Sequence, residues 1–319
     1  MRTDSSIQAN RQPSVKVKKK SIIRDIKKDR WIYILMIPGL LYFLLFKYLP
    51  MGGTVIAFQD FMPFLGFFES EWVGFKHFER LFNDPDFFML LRNTLILSIY
   101  NLLLGFPAPI ILALMLNELR IQWFKRSIQT MIYVPHFMSW VVVVSIFFVI
   151  FESGDGLFQS MVTSLGFDSF SIMMNESLFR PMCILQVLWR DTGWGTIIYL
   201  AALTGISPEL YEAARMDGAS RLRQIWHITL PGIRNVIVIL LLLRMSEILD
   251  LSFEHVFLLL NAMTREVGDV FDTYVYRVGL INGQLSYSTA VGLFKGIVGL
   301  ILVTVANWLA KKFGEEGIF

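Results

Sequence analysis

The sequence predicts an all-α integral membrane protein with six transmembrane helices, and three observations lead there. Of 319 residues, 55% are hydrophobic and only 17% are charged, against roughly 25% charged in a soluble domain. The apolar residues gather into six runs, each long enough to cross a bilayer. Lysine and arginine are shared unequally between alternate connecting segments. Charge this sparse means that much of the exterior meets lipid rather than water. One cysteine, Cys183, lies inside an apolar run; it reads as a small apolar filler, and neither a disulfide framework nor a thiolate metal site is available. The four histidines, His77, His136, His227 and His255, show no shared ligand spacing.

Taken in order, residues 1–30 form a basic cytoplasmic tail with ten Lys/Arg; its first half reads as disordered and its second half, with Ile22, Ile23 and Ile26, as a membrane-surface helix. Trp31 to Leu49 supplies the first transmembrane helix, about 28 Å long and close to the hydrocarbon thickness. A basic stretch before an apolar run also describes a signal peptide. Here the run is long, and Lys47-Tyr48 stand where small residues would precede a cleavage site, so 31–49 is read as a retained anchor. Residues 50–92 form an extracytoplasmic segment rich in Phe and Trp, read as a small amphipathic cap.

Residues 93–310 form a core of five further spans, near 93–116, 128–151, 181–204, 233–260 and 288–310, and 311–319 form a cytoplasmic tail. Pro107 and Pro109 are expected to kink the second span, as prolines do where neighbours satisfy the freed backbone groups. The fifth holds Arg244, Glu247 and Asp250, so its outer part is expected to line protein or water. With the amino terminus inside, the inner segments carry 19 Lys/Arg and the outer ones 7. The positive-inside rule therefore predicts that both termini are cytoplasmic.

The third cytoplasmic segment, 205–231, obeys local rules for two short helices. Ser207 is a suitable N-cap, Pro208 fits the first helical position, and Glu209 complements the positive end of the dipole. Gly218 supplies a left-handed residue to end the first helix. Ser220 caps a second helix, Arg221 to Ile228, before Pro231. The small Ala213 and Ala214 let another protein's surface approach the backbone, and Glu212 offers a charge beside them.

Within this loop, Glu212-Ala213-Ala214 is followed after three residues by Gly218 and, nine residues later, by Ile228-Thr229-Leu230-Pro231. This pattern resembles the cytoplasmic signature of permeases of binding-protein-dependent ABC importers, with each identity and spacing kept. The resemblance extends over roughly residues 30–319. Asn93-Thr94-Leu95, the stretch from Gly105 to Leu114, Tyr133 to Trp140, and Trp194 to Tyr199 look like the carbohydrate importer group. Asp272 to Gly279 and Tyr287 to Lys295 narrow the match to polysaccharide-type permeases, the alginate and lipoprotein-operon members among them.

That resemblance implies the type I importer fold and a coupling helix in which Glu212, Ala213, Ala214 and Gly218 dock in a groove of a cytoplasmic ATPase. It implies a second homologous permease, two ATP-binding cassette subunits and an extracytoplasmic solute-binding protein. The cargo it implies is an oligo- or polysaccharide, a uronate such as alginate included. The alternative is a non-sugar solute such as a peptide or polyamine, because the loop is shared across those classes. The location implied is the bacterial cytoplasmic (inner) membrane, with no nucleic acid partner. No Gly-Lys dipeptide occurs, so a GxxxxGK[ST] phosphate loop is excluded. The chain is thus expected to be non-catalytic and to bind no cofactor, with ATP and Mg held by the partner ATPase.

Charge within a span costs about 2.5–3.5 kcal/mol on insertion scales, which makes intramembrane ionisable residues site candidates. Arg190 and Asp191 lie near the centre of the fourth span, beside Trp189 and Trp194. The fifth holds Arg244 and, further out, Glu247; the sixth holds Lys295 in Gly292-x-x-x-Gly296. Together with Asp250 these charges sum to zero, so the sequence does not announce a cavity for an acidic substrate. The plainer readings are an Arg244–Glu247 pair on one helical face, tryptophans that serve packing rather than stacking on sugar rings, a packing notch at Gly292/Gly296, and a hydrogen-bonded packing role for His136.

Overall fold

A computed structural model describes residues 29–151, 156–165 and 172–312. Nearly all of the basic tail and most of the segment 311–319 lie outside the described residues. The chain divides at Thr54 into two units.

The described part of the first unit is one helical run. The helix Arg30–Phe43 passes through a widened π turn, Leu44–Tyr48, into Leu49–Met51. It is apolar on every side and none of its residues is buried, the pattern of a helix whose surroundings are apolar all round.

The second unit opens with the cap at 55–82. Two short antiparallel strands, Gln59–Asp60 and Glu71–Trp72, pair Gln59 with Trp72, so the otherwise helical chain carries a small ribbon. The helix Lys76–Phe82 is tied to it at both of its first positions. Lys76 pairs with Asp60 at 2.6 Å, and His77 Nε2 lies 3.1 Å from the Gln59 carbonyl. The hydrogen bond from Lys76 holds the Asp60 carboxyl below its ordinary range.

The second span, Phe87–Glu118, is 32 residues long and starts before Asn93. It runs through Pro107 and Pro109 because the preceding turn, Asn101–Gly105, is a π turn. A proline ring clashes with the carbonyl four residues back, and a locally widened turn removes that clash. The same arrangement recurs twice. Pro50 and Pro231 each lie two residues past a π turn, Leu44–Tyr48 and Ile225–Thr229.

The third span is not one helix over 128–151. It is a pair, Gln122–Phe137 and Trp140–Phe151, bent by 106°. The cause is local: Pro135 sits in a 3₁₀ turn, Val134–Phe137, and Met138 beyond it is extended. The fourth span, Glu176–Leu203, has 28 residues, about 42 Å of helix. Asn175 caps it, accepting a hydrogen bond from the Ser177 N–H at 2.9 Å.

The fifth span also departs from the expected 233–260. Its helix, Arg234–Ser246, stops where Ser246, Glu247, Asp250 and Ser252 accumulate, and a second helix, Phe253–Leu259, begins only after Ser252 at φ +50°. At its start, the helix Arg234–Ser246 meets Arg221–Gly232 at a 63° bend. The sixth span is Leu285–Lys312. Among the described residues three helices are long and apolar enough to cross a membrane, and the two bent pairs raise that to five. Glu176–Leu203 falls outside that count because Arg190, Asp191 and their polar neighbours interrupt its apolar run.

Two anchors set the ends of this unit. At one, Tyr274 and Tyr287 both donate to Asp84 Oδ2, at 2.6 and 2.8 Å, and Arg80 lies over the Tyr287 ring at 4.1 Å. Burial works against the Asp84 charge, but hydrogen bonds from Tyr274, the Asp86 N–H and Tyr287 outweigh it and hold the carboxyl below its ordinary value. Burial, aided by the bond to Asp84, pushes the Tyr274 hydroxyl up to about 12. At the other, Ala113, Tyr199, Leu203 and Ile233 form a buried cluster against which Ile206 packs.

Candidate functional site

The fourth span positions the cavity. Its segment Thr192-Gly193-Trp194-Gly195-Thr196 brings two neighbours very close. A Cβ on Gly193 would stand 1.9 Å from the Ile132 carbonyl oxygen, and one on Gly195 would stand 2.9 Å from the Pro109 ring. Thr196 donates to the Pro109 carbonyl at 3.3 Å. With both flanking positions reduced to backbone, Trp194 is the large side chain presented between them. It lines a cavity of about 330 Å³ together with Asn101, Pro109, His136, Arg190, Asp191, Tyr199 and Arg244.

Arg190 is held by three neighbours. Its Nη1 donates to Asp191 at 2.9 Å, its Nε to the Met138 carbonyl at 3.1 Å, and its guanidinium lies 4.4 Å from the Trp140 ring centre. A cation over an indole face is attracted by the ring quadrupole. His136 Nδ1 donates to the same Asp191 oxygen at 3.0 Å, and its ring stacks on Trp194 at 4.7 Å and 8°. His136 is thus a packing residue and part of the cavity wall at once. Arg244 comes from the fifth span and donates from Nη2 to Asn101 Oδ1 at 3.0 Å.

Of the candidates read from sequence, Arg190, Asp191, Trp194 and Arg244 meet in this cavity. Trp189 does not; it faces a separate hollow with Leu112, Met131 and Leu185, and meets Phe147 edge-on. Glu247 is exposed and lines a narrow crevice beside Arg244 and Asn101, without reaching ion-pair distance among the described residues. The expected Arg244–Glu247 pair is therefore replaced by the Arg244–Asn101 bond. Lys295 is elsewhere, paired with Asp272 at 2.5 Å and with Asp250 at 3.8 Å. Asn101 was not singled out by sequence. The available signal was Gly105 one turn on, where a Cβ would lie 2.6 Å from Asn101 Oδ1.

The second part of the site is the hairpin at 205–232. Ser207 accepts from the Glu209 N–H at 3.3 Å and starts the helix Pro208–Met216. Gly218 adopts φ +73°, a conformation that costs a side-chain-bearing residue roughly 1–2 kcal/mol. Ser220 accepts from the Arg223 N–H at 3.4 Å, and the second helix runs past Ile228 to Gly232 through its π turn. The hairpin is braced by Tyr211 and Thr229, whose hydroxyls lie 3.0 Å apart, and by Gln224 donating to the Ala219 carbonyl at 2.8 Å. Glu212, Ala213 and Gly218 are exposed and Ala214 is half-buried. Around them stand exposed apolar side chains, Met216 at 88% and Trp226 at 65%.

Among the described residues no group of three or more His, Cys, Asp or Glu side chains could hold a metal ion. A charged cavity in a bundle of apolar spans, joined to a capped hairpin with exposed apolar side chains, is the form of a transport permease. The chain belongs to the family of binding-protein-dependent transport system inner membrane components, whose model matches residues 105–315. It is 59% identical over 304 residues, 95% of each chain, to the polygalacturonan/rhamnogalacturonan transport system permease protein YteP of Bacillus subtilis (strain 168). It is 56% identical to the protein LplB of the same organism, over 92% of each chain. Among solved structures it resembles a chain of a bacterial alginate ABC transporter in complex with an alginate pentasaccharide-bound periplasmic protein. That match has a TM-score of 0.86 and 37% identity, and covers 93% of this chain and 99% of the other.

Proposed function

We propose that this chain is the membrane-spanning permease of an ATP-driven importer that passes an oligo- or polysaccharide, delivered by an extracytoplasmic binding protein, through the cavity around Trp194. The carrying observation is a physical continuity. One helix, Glu176–Leu203, bears Arg190, Asp191, Trp194 and Tyr199 at the cavity and runs, three residues after its end, into the capped helix Pro208–Met216. Leu203 and Tyr199 share a buried cluster with Ile233 beyond the hairpin. A push on the hairpin therefore reaches the cavity wall through packed side chains, which behave as discrete rather than continuously deformable elements.

The ATPase supplies that push. The apolar and small side chains exposed on the hairpin, Leu210, Ala213, Met216, Leu222 and Trp226, are the type that a partner's groove removes from water. Two ATPase subunits and a second, homologous permease complete the complex, with both termini of this chain in the cytoplasm. The chain itself is non-catalytic, and ATP with its Mg stays on the motor subunits. The sugar reading rests on the names of the relatives at 59% and 37% identity and on a cavity that combines charged groups with an exposed indole; a peptide or polyamine has no comparable support.

Glu212→Lys and Gly218→Val test the coupling role in the reconstituted complex. Both are expected to abolish oligosaccharide uptake and substrate-stimulated ATP hydrolysis while the permease still inserts. If transport and stimulated hydrolysis survive both changes, the hairpin is not the coupling element.

A further inference from the structure

The charges of the spans cancel along the sequence but not in space. Arg190 is neutralised by Asp191, and Lys295 by Asp272 and Asp250. Asp250 is thereby spent on another part of the molecule, and Glu247 lies beyond ion-pair reach. Among the described residues, Arg244 is the cation lining the cavity that no carboxylate meets.

A guanidinium carries five N–H donors in a planar fork. Arg190 gives two donors to Met138 and to the Asp191 carboxylate, which cancels its charge, and one face to Trp140. Arg244 spends one on the amide oxygen of Asn101, a neutral acceptor that orients the fork without cancelling its charge. Gly105 leaves room for that amide, since a Cβ there would stand 2.6 Å from its oxygen. The pair comes from two different spans, so the arrangement is not a by-product of one helix's periodicity. Across the same cavity Trp194 stands 46% exposed, backed by His136. An oriented guanidinium with open donors facing an aromatic plate suits a flat-faced ring that bears a carboxylate, which an arginine fork takes in two parallel hydrogen bonds.

We propose that Arg244, oriented by Asn101, is a recognition site for the carboxylate of an acidic sugar unit inside the permease. Selection for uronate would then be made here as well as by the binding protein upstream. The inference deepens the transport reading and rests on it.

The test is uptake of a galacturonate trisaccharide by the complete transporter in proteoliposomes, with saturating loaded binding protein. Arg244→Gln keeps a donor for Asn101 but removes the charge, and is expected to lower uptake at least about tenfold; Arg244→Lys, which restores the charge without the fork, should recover a substantial part. Asn101→Asp places a neutralising carboxylate on Arg244 while leaving it in place, and should lower uptake about as far. This variant carries the test if the Gln form fails to assemble. Wild-type uptake in Arg244→Gln or in Asn101→Asp overturns the proposal, as does a Lys variant no better than Gln in an assembled complex. A wild-type complex that imports no oligosaccharide at all would instead sink the transport reading, and this proposal with it.

Discussion

The hairpin at 205–232 draws everything it needs from fewer than thirty consecutive residues. Ser207 caps, Pro208 starts, Gly218 reverses and Ser220 caps again, each acting within a few positions of itself. The cavity takes its walls from four distant segments, and the bond that orients Arg244 joins residues 143 positions apart. The difference shows in what each region tolerates. A hairpin governed by backbone conformation and solvated on one side should fail conformationally and locally. A cavity framed by helices in backbone contact should fail sterically and globally.

The sharpest way to break that contrast is Gly193→Val. The new Cβ would fall 1.9 Å from the Ile132 carbonyl oxygen, so the third and fourth spans must separate. A loss of about 3 kcal/mol or more is expected, read as a collapse in the yield of monodisperse permease. Wild-type yield would mean that the cavity wall does not depend on this approach. Gly218→Val should behave differently, because nothing lies within 4 Å of its added Cβ. Its cost is the left-handed backbone alone, about 1–2 kcal/mol. Protein yield should therefore persist while coupled transport is lost, and Gly218→Asn, which tolerates that conformation, should restore transport. Equal loss in both variants would place a buried neighbour at Gly218.

The Asp84 anchor extends the test to titration. Asp84 gathers Tyr274 and Tyr287 from 190 and 203 positions away, and its folded carboxyl is held below its ordinary value. A depressed carboxyl contributes stability that is present above its unfolded value and is lost as pH falls through its folded one. Wild-type thermal stability should thus drop more steeply below about pH 4 than that of Asp84→Asn. At neutral pH that variant should cost about 1 kcal/mol, since the carboxylate is only partly buried. Identical pH profiles would remove Asp84 from the anchor. The smallest effect belongs to Ser207→Ala, roughly 0.5–1 kcal/mol of helix stability. It should appear as a modest fall in stimulated ATP hydrolysis with no change in yield.

Much of the fold was legible because its signals are local. Apolar runs, their lengths and the signature from Glu212 to Pro231 marked the spans and the hairpin. Two spans were drawn too simply. The third bends 106° at Pro135 and the fifth stops at Ser246, whereas Pro107 and Pro109, marked as kinks, are carried by a π turn within one span. A proline clashes with a carbonyl in any helix; whether the chain widens or turns there depends on what packs beside it. At the cavity, Arg190, Asp191, Trp194 and Arg244 were found by the cost of placing polar groups in a span, but Trp189, Glu247 and Lys295 met the same criterion and lie elsewhere. Asn101 is uncharged and raised no such flag.

Capping, helix initiation and chain reversal act through backbone groups at most a turn away, so the order of residues alone settled the hairpin and the number of apolar runs. Electrostatic partners are chosen through space. Arg244 has Glu247 three residues on along its own chain, yet its hydrogen bond goes to Asn101 because another span brings that amide alongside it. Only the packing of helices could decide which charges cancel and which one is left facing the cavity.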